Sequence, residues 1–270
     1  MKHLLTILTI CLTTASYSQT VDDIEYFIAV KNNNDSTFKY FMSFLNKFDS
    51  TDEFKNFFCE KAAERVGDYY KSRKDYLRAI AYYDSADTKY RDKVQFCSNA
   101  YYIDFIPRRY KVSQCYLELQ KPKEALSTLT SHIFDGLGKG YFDSTMTEYY
   151  LTILNLLYTK QQIQNEIKSS VDQANYSITY RWTTDSTKKF PQISCKLNIF
   201  GSELELGGFE PGSGYEQNGE IPYYATKQGL IEQFKYLPIY ERLEKLSGYA
   251  YNRRFSKMGA AKAVFQLFVF

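Results

Sequence analysis

Histidine is nearly absent from this chain: of 270 residues only His3 and His132 are histidines, and His3 falls in an expected leader. One remaining imidazole excludes metal centres built on two histidines and makes any Ser–His or Cys–His chemistry depend on a single side chain. His132 falls near the C-terminal end of an expected helix, where an imidazolium would complement the dipole, so a structural role is expected of it. Cysteine is sparse too, and none of the five forms a C-x-x-C pair, which weakens metal and dithiol readings. In an oxidising compartment Cys59, Cys97, Cys115 and Cys195 would allow two disulfides in three connectivities; buried free thiols are the alternative. Neither charge sign dominates, with 34 basic against 31 acidic residues. Nothing in that balance calls for nucleic acid or an acidic membrane. No apolar run approaches the roughly 20 residues needed to cross a bilayer.

Phosphate-binding loops are missing as well. Gly136-x-Gly138-x-Gly140 follows a helix rather than a strand, and Gly207-Gly208 and Gly212-x-Gly214 lack a following lysine. Paired carboxylates are the one catalytic class that composition leaves open. Glu203, Glu205, Glu210, Glu216 and Glu220 crowd one region, where solvated acids are the simpler reading. No catalytic residue, metal ligand or cofactor is assigned, and the chain is not expected to be an enzyme.

What is abundant is aromatic: 26 Tyr and 20 Phe bring the aromatic fraction to 17%. Many sit at helical spacing, which predicts core and inter-helix packing. The chain opens with Lys2 and His3, an apolar run from Leu4 to Leu12, and small residues at Ser16-Tyr17-Ser18. That pattern predicts a signal peptide over 1–18, cleaved before Gln19, and a periplasmic or secreted mature protein. Ile10 before Cys11 is too large for a lipoprotein box.

Helical periodicity comes next. Asp35-Ser36 precedes Phe38, Phe41, Phe44 and Leu45, and Ser50 with Glu53 forms a capping box opening a helix to about Ser72. In it Cys59, Ala63, Val66, Gly67 and Tyr70 share a stripe. A second helix, 74–89, is expected to bury Leu77, Ala79, Ile80, Tyr83 and Ala86.

Val66-Gly67, Tyr70, Ala79, Tyr83 and Ala86 stand at the offsets of a tetratricopeptide repeat, which this stretch resembles. Small residues at Gly67 and Ala79 would let two helices approach closely while tyrosines fill the remaining gap. Ala63 stands where the family has a large residue and Arg91 where it has proline. A looser copy lies 46 residues on, with Val112-Ser113, Tyr116, Ala125 and Leu129, and with His132 at the second alanine. There the added length is expected in a connection holding Tyr101-Tyr102, with Pro107 and Pro122 starting helices. Ser144 is expected to cap a third helical pair running to about Gln173, in which Tyr150 alone matches the repeat. The resemblance implies a peptide or protein partner in a groove lined by first helices, here carrying Lys61, Glu64, Asp68, Lys71, Tyr110 and Gln114.

Near Asn175 the period changes to two. Tyr176, Ile178, Tyr180 and Trp182, then Ile193, Cys195, Leu197 and Ile199, predict a β-hairpin, with Leu204 and Leu206 on a further strand. A loop is expected over 207–219, helices over 226–236 and 238–246, and a strand or buried helix over 263–270.

The expected fold is mainly α: a signal peptide (1–18), helical hairpins (19–174) and a small α+β region (175–270). The leading functional expectation is an exported interaction module or scaffold. The alternative is a carbohydrate or cell-wall binder using Trp182 or Tyr223-Tyr224. Asp-Ser-Thr recurs at Asp35, Asp49, Asp143 and Asp185, with Asp84-Ser85-Ala86. It resembles an O-glycosylation acceptor of exported bacterial proteins, and helix capping explains it equally well.

Overall fold

The structure, a computed structural model, describes residues 34–47, 53–91, 98–135, 144–182, 189–209, 227–239 and 241–242. Expectations for the leader, Ser50, the glycine turn after Asp135, the Asp185 turn, Tyr223-Tyr224 and 263–270 lie outside the described residues. The described residues form eight α-helices and one three-stranded antiparallel sheet, mainly helical with the sheet late in the chain. Contacts divide the chain into two compact units, Met1–Phe96 and Cys97–Phe270.

The first unit holds α1 (Asp35–Lys47), α2 (Glu53–Ser72), α3 (Tyr76–Ser85) and a π-helical segment, Ala86–Tyr90. Asn34, one residue before the expected Asp35-Ser36, caps α1: its Oδ1 accepts from the Thr37 N–H, and Thr37 Oγ1 accepts from the Asn34 N–H, each at 3.0 Å. The core joins Phe41 and Leu45 of α1, Cys59, Ala62, Ala63 and Val66 of α2, and Ala86 and Tyr90 of the π segment. Tyr70, expected on the α2 stripe, is half-buried. Leu77, expected in the core, is 65% exposed. The buried face of α3 is set by Ala79, Ile80 and Tyr83, and helical spacing puts Leu77 off it.

At the α2–α3 contact, a Cβ built on Gly67 would lie 2.6 Å from Cε1 of Tyr83, well inside the van der Waals limit. Ala79 and Tyr83 are fully buried. The turn joining the helices closes with the Lys74 N–H on the Lys71 carbonyl and the Asp75 N–H on the Tyr70 carbonyl, both at 3.0 Å. Lys74 is left-handed, φ 62°, which completes a Schellman motif without glycine.

The second unit begins with α4 (Ser98–Glu118) and α5 (Pro122–Asp135). Their turn repeats the first one 46 residues on. Gln120 is left-handed at φ 58°, and the Gln120 and Lys121 N–H groups bond the Leu117 and Tyr116 carbonyls, both at 2.9 Å. Ser113, at the place of Gly67, is buried and donates to the Ala125 carbonyl at 2.7 Å. Pro107 and Tyr101-Tyr102 correct the expectation: all lie inside α4. The helix starts well before Pro107, so the proline removes one backbone hydrogen bond within it instead of opening it.

The third pair, α6 (Ser144–Leu157) and α7 (Lys160–Asp172), is joined differently. Thr159 makes a reciprocal capping box with Gln162, and no left-handed residue is needed. Strands β1 (Asn175–Trp182), β2 (Lys189–Ile199) and β3 (Ser202–Phe209) then pair antiparallel in the order β1-β2-β3. Gly207, expected to open a loop, pairs instead with Ser194 beside a bulge in β3 at Gly208. Phe200 and Gly201, with φ 50° and 76°, connect β2 to β3 in the manner of a type I′ turn. Phe200 accepts this backbone because it is buried against Tyr158, and its N–H bonds Glu166 Oε1 at 3.0 Å. The last described helix, α8 (Lys227–Lys235), lays Phe234 edge-on to Tyr176.

Ile193, Cys195, Leu197 and Ile199 share one core with Leu126, Leu129, Ile153, Ile163 and Ile167. The boundary expected at 174/175 therefore separates no second core: the sheet needs the helices to cover its apolar face, and the contacts divide the chain at 96/97. The other sheet face is polar, with Ser177 and Ser194 Oγ atoms 2.6 Å apart and Lys196 beside Glu205 at 3.4 Å.

Gly67→Val should destabilise the first unit by about 2–3 kcal/mol, because the buried Tyr83 ring has no room to yield. The double variant Gly67→Ser/Tyr83→Leu, which copies Ser113 and Leu129 of the second hairpin, should recover at least half of that loss. Urea unfolding followed by circular dichroism measures both, and equal stability of Gly67→Val and the parent would refute the contact.

Candidate functional site

The expected groove residues fall into two sets. Lys61, Glu64, Asp68 and Lys71 all lie on α2 and are half-buried. Asp68 is committed to packing, since its Oδ1 accepts from the Tyr83 hydroxyl at 2.7 Å while Arg65 approaches its other oxygen at 3.6 Å. Lys61 Nζ sits 6.0 Å from the Phe57 ring centre. Tyr110 and Gln114 lie one turn apart on α4, in the second unit, and both are half-buried. Tyr110 meets Tyr149 edge-on at 5.0 Å, so its ring is spent on the α4–α6 contact. Burial pushes the Tyr149 hydroxyl up to about 12.

His132 packs edge-on to Phe105 at 4.9 Å. Burial, and then the positive Arg109, lower its pKa to about 4. It is therefore neutral at pH 7, which corrects the expected helix-dipole role: an uncharged imidazole contributes no cation there. Its role is packing. Cys59, Cys115 and Cys195 are buried thiols, and burial pushes the Cys195 thiol up to about 12, far from a reactive thiolate. Glu203 and Glu205 stand exposed on β3, with Lys196 3.4 Å from Glu205. Among the described residues no group of three or more His, Cys, Asp or Glu side chains is placed to hold a metal ion. Among them, too, no helix is long and apolar enough to cross a membrane.

Two features escaped sequence reasoning. The first is a buried ion pair: Glu60 Oε1 and Arg91 Nη1 lie 2.5 Å apart with side chains 0% and 1% exposed. Asn56 and Asp87, each one helical turn earlier, are buried with them. These charges tie α2 to the residue just after the π segment. The available signal was position, because Asn56 and Glu60 continue the spacing of Ala63 and Gly67 along the buried face of α2.

The second is a cleft of about 400 Å³ lined by Met42, Leu45 and Asn46 of α1, Ala81, Tyr82 and Ser85 of α3, and Lys89 and Tyr90 of the π segment. A π turn holds an extra residue and so rotates the side chains beyond it by about 100° relative to an unbroken α-helix. Lys89 follows Ser85 and Ala81 at four-residue spacing on the cleft side, and Tyr90, at the end of the π segment, lies beside it. Tyr82 donates to the Met42 sulfur at 3.3 Å, and burial raises its hydroxyl pKa.

The remaining candidates are structural or undescribed. Asp35 is held by Arg73 and by the Tyr69 hydroxyl, and Ser85 donates to the Ala81 carbonyl at 2.8 Å. The Trp182 side chain lies outside the described residues. No protein-family model, curated protein or solved structure matches the chain.

Glu60→Gln should cost about 3–5 kcal/mol, because it removes the charge of the carboxylate that faces the buried Arg91 guanidinium. Glu60→Leu/Arg91→Met should cost markedly less, and chemical denaturation of the three proteins makes the comparison. His132 supplies a pH test. Its folded pKa lies below the unfolded value near 6.5, so the unfolded chain binds the extra proton. Stability is then full above about pH 6.5 and falls as pH drops toward 4, by on the order of 2 kcal/mol. Replacing His132 with Asn should flatten the pH 7.5-to-5 difference in urea midpoint; an unchanged difference would show that the imidazole is not buried neutral.

Proposed function

We propose that the chain is an exported, tetratricopeptide-like interaction module of the periplasm or cell envelope that binds a peptide or protein partner and performs no catalysis. One observation carries the reading: the α2–α3 and α4–α5 hairpins close with the same two backbone hydrogen bonds around one left-handed residue, at a spacing of 46 residues. Repeated hairpins are a means of presenting helix faces, and a tight turn with small residues at the crossing is what such hairpins need. In the first unit the residues proposed to meet a partner are Lys61, Glu64 and Lys71 on α2; in the second unit, taken by itself, α4 presents Gln114. Mixed charge on that set suits a peptide better than a polyanion. Asp68 and Tyr110 belong to the same faces and act by holding the helices that carry them. Export is supported by the leader-like sequence of 1–18.

The full chain, expressed with a C-terminal tag in a Gram-negative host, should be recovered from the periplasmic fraction with Gln19 as its first residue. Cross-linking and affinity capture from the source envelope should retain a specific protein, and Lys61→Glu/Lys71→Glu should reduce its recovery about tenfold. A cytoplasmic chain with its leader intact would overturn the export reading. Capture indifferent to the double substitution would overturn the α2 face.

A further inference from the structure

Among the described residues, the sulfur atoms of Cys59, Cys115, Cys195 and Met146 belong to buried side chains, Met146 being 7% exposed. Met42 differs. It is half-buried on α1 and forms part of the wall of the α1–α3 cleft, whose volume of about 400 Å³ has room for many water-sized molecules. Its thioether is also held, because the Tyr82 hydroxyl of α3 donates to the sulfur at 3.3 Å. The direction of Tyr82 is fixed from behind. Its ring stacks on Tyr70 at 5.5 Å, and Tyr70 is in turn flanked by Phe38, edge-on at 5.5 Å, and by Arg78 at 5.2 Å.

The contact changes strength with the oxidation state of the sulfur. A thioether is a weak acceptor, whereas a sulfoxide carries a polar oxygen, one bond from the sulfur and within reach of the same hydroxyl. Burial raises the Tyr82 pKa, so the phenol remains a donor into the alkaline range. In a closed core the added polarity of a sulfoxide is disruptive. At Met42 the new oxygen meets a donor on one side and an open cleft on the other.

We infer that Met42 is a methionine-oxidation site, converted to the sulfoxide by oxidants of the peroxide class, and that Tyr82 holds the product. In that step a sulfur lone pair attacks one oxygen of hydrogen peroxide, and an S–O bond forms as the O–O bond breaks. The hydroxide released takes up, through water, the proton of the transferred hydroxyl. The sulfur is oxidised by two electrons, the peroxide is reduced, and water is the second product. Geometry adds selectivity: one lone pair faces the Tyr82 proton and the oxidant is left with the other, so one sulfoxide epimer is favoured. A methionine without such a contact yields both. Each epimer is reduced by its own reductase, which makes the site reversible. The inference stands independently of the partner-binding reading.

The test exposes the full folded chain to hydrogen peroxide, stops the reaction with catalase, and follows the Met42 and Met146 peptides by mass spectrometry after digestion. Met42 should oxidise about tenfold faster than Met146, and the two rates should converge when the chain is unfolded in urea. Treating the digest with one or the other epimer-specific reductase should reveal about a threefold or greater excess of one Met42 sulfoxide epimer. Tyr82→Phe, which keeps the ring against Tyr70 and is checked by circular dichroism, should abolish that excess. In this variant oxidation should also lower the urea midpoint further than it does in the parent. Equal rates for the two methionines, or equal epimers in the folded parent, would overturn the site, and both are read without the variant. An epimer excess that survives Tyr82→Phe would show that the hydroxyl does not hold the sulfur, and would overturn the proposal as well.

Discussion

The first unit depends on one close approach, where α2 and α3 cross with a glycine against a tyrosine ring. Any side chain at Gly67 would enter the ring of Tyr83, whose own position is secured by complete burial and by its hydrogen bond to Asp68. The separation of the helices is therefore set by backbone against ring rather than by interleaved side chains. That separation dictates the burial of Ala79 and the length of the connection. A turn of the Schellman type must then place Lys74 in a left-handed conformation that a lysine adopts only at a cost. The second hairpin has Ser113 at the corresponding place, its hydroxyl bonded to the Ala125 carbonyl, and a buried leucine at 129 where the first has Tyr83. One geometry is thus reached by two chemical routes.

The buried pair of Glu60 and Arg91 does a different kind of work. Taking both charges out of water is costly, and a hydrophobic pair of similar size would serve stability as well or better. What the pair supplies is register. A π segment is a poor continuation of an α-helix, and an extra residue lets the side chains beyond it settle in more than one rotation. A guanidinium that must meet a carboxylate 2.5 Å away selects one of them. Lys89 and Tyr90, which line the cleft, lie in the same segment, immediately before Arg91.

The second unit shows the opposite economy. Its sheet is apolar on one face and polar on the other, and the apolar face is completed by helices that precede it in the chain. Phe200 makes the join at its tightest point: the turn would prefer asparagine or glycine, yet a phenylalanine is held there by Tyr158, by Glu166 and by burial. Tertiary contact has overridden turn preference. Burial in this unit also holds His132 neutral and Cys195 protonated at pH 7.

Period and small-residue spacing carried much of the architecture. The helices beginning near Asp35, Glu53, Pro122 and Ser144, the alternation over 175–182 and 193–199, and the need for glycine at 67 were all legible, because each is a local pattern imposed by 3.6- or 2-residue geometry. Several features were not, and each involves residues distant in sequence or a break in period. Pro107 reads as a helix start until the residues before it prove helical. Leu77 reads as core until Ala79 and Tyr83 choose the face. The cleft needs α1 laid against α3, and Glu60 looks like a surface acid until Arg91 arrives beside it. By itself the sequence determined where most of the helices and strands form and which two helices must nearly touch. Tertiary structure alone decided which charges are buried, where one core ends and the next begins, and which side chains line a cleft, because those depend on rotation and partner choice that no local periodicity encodes.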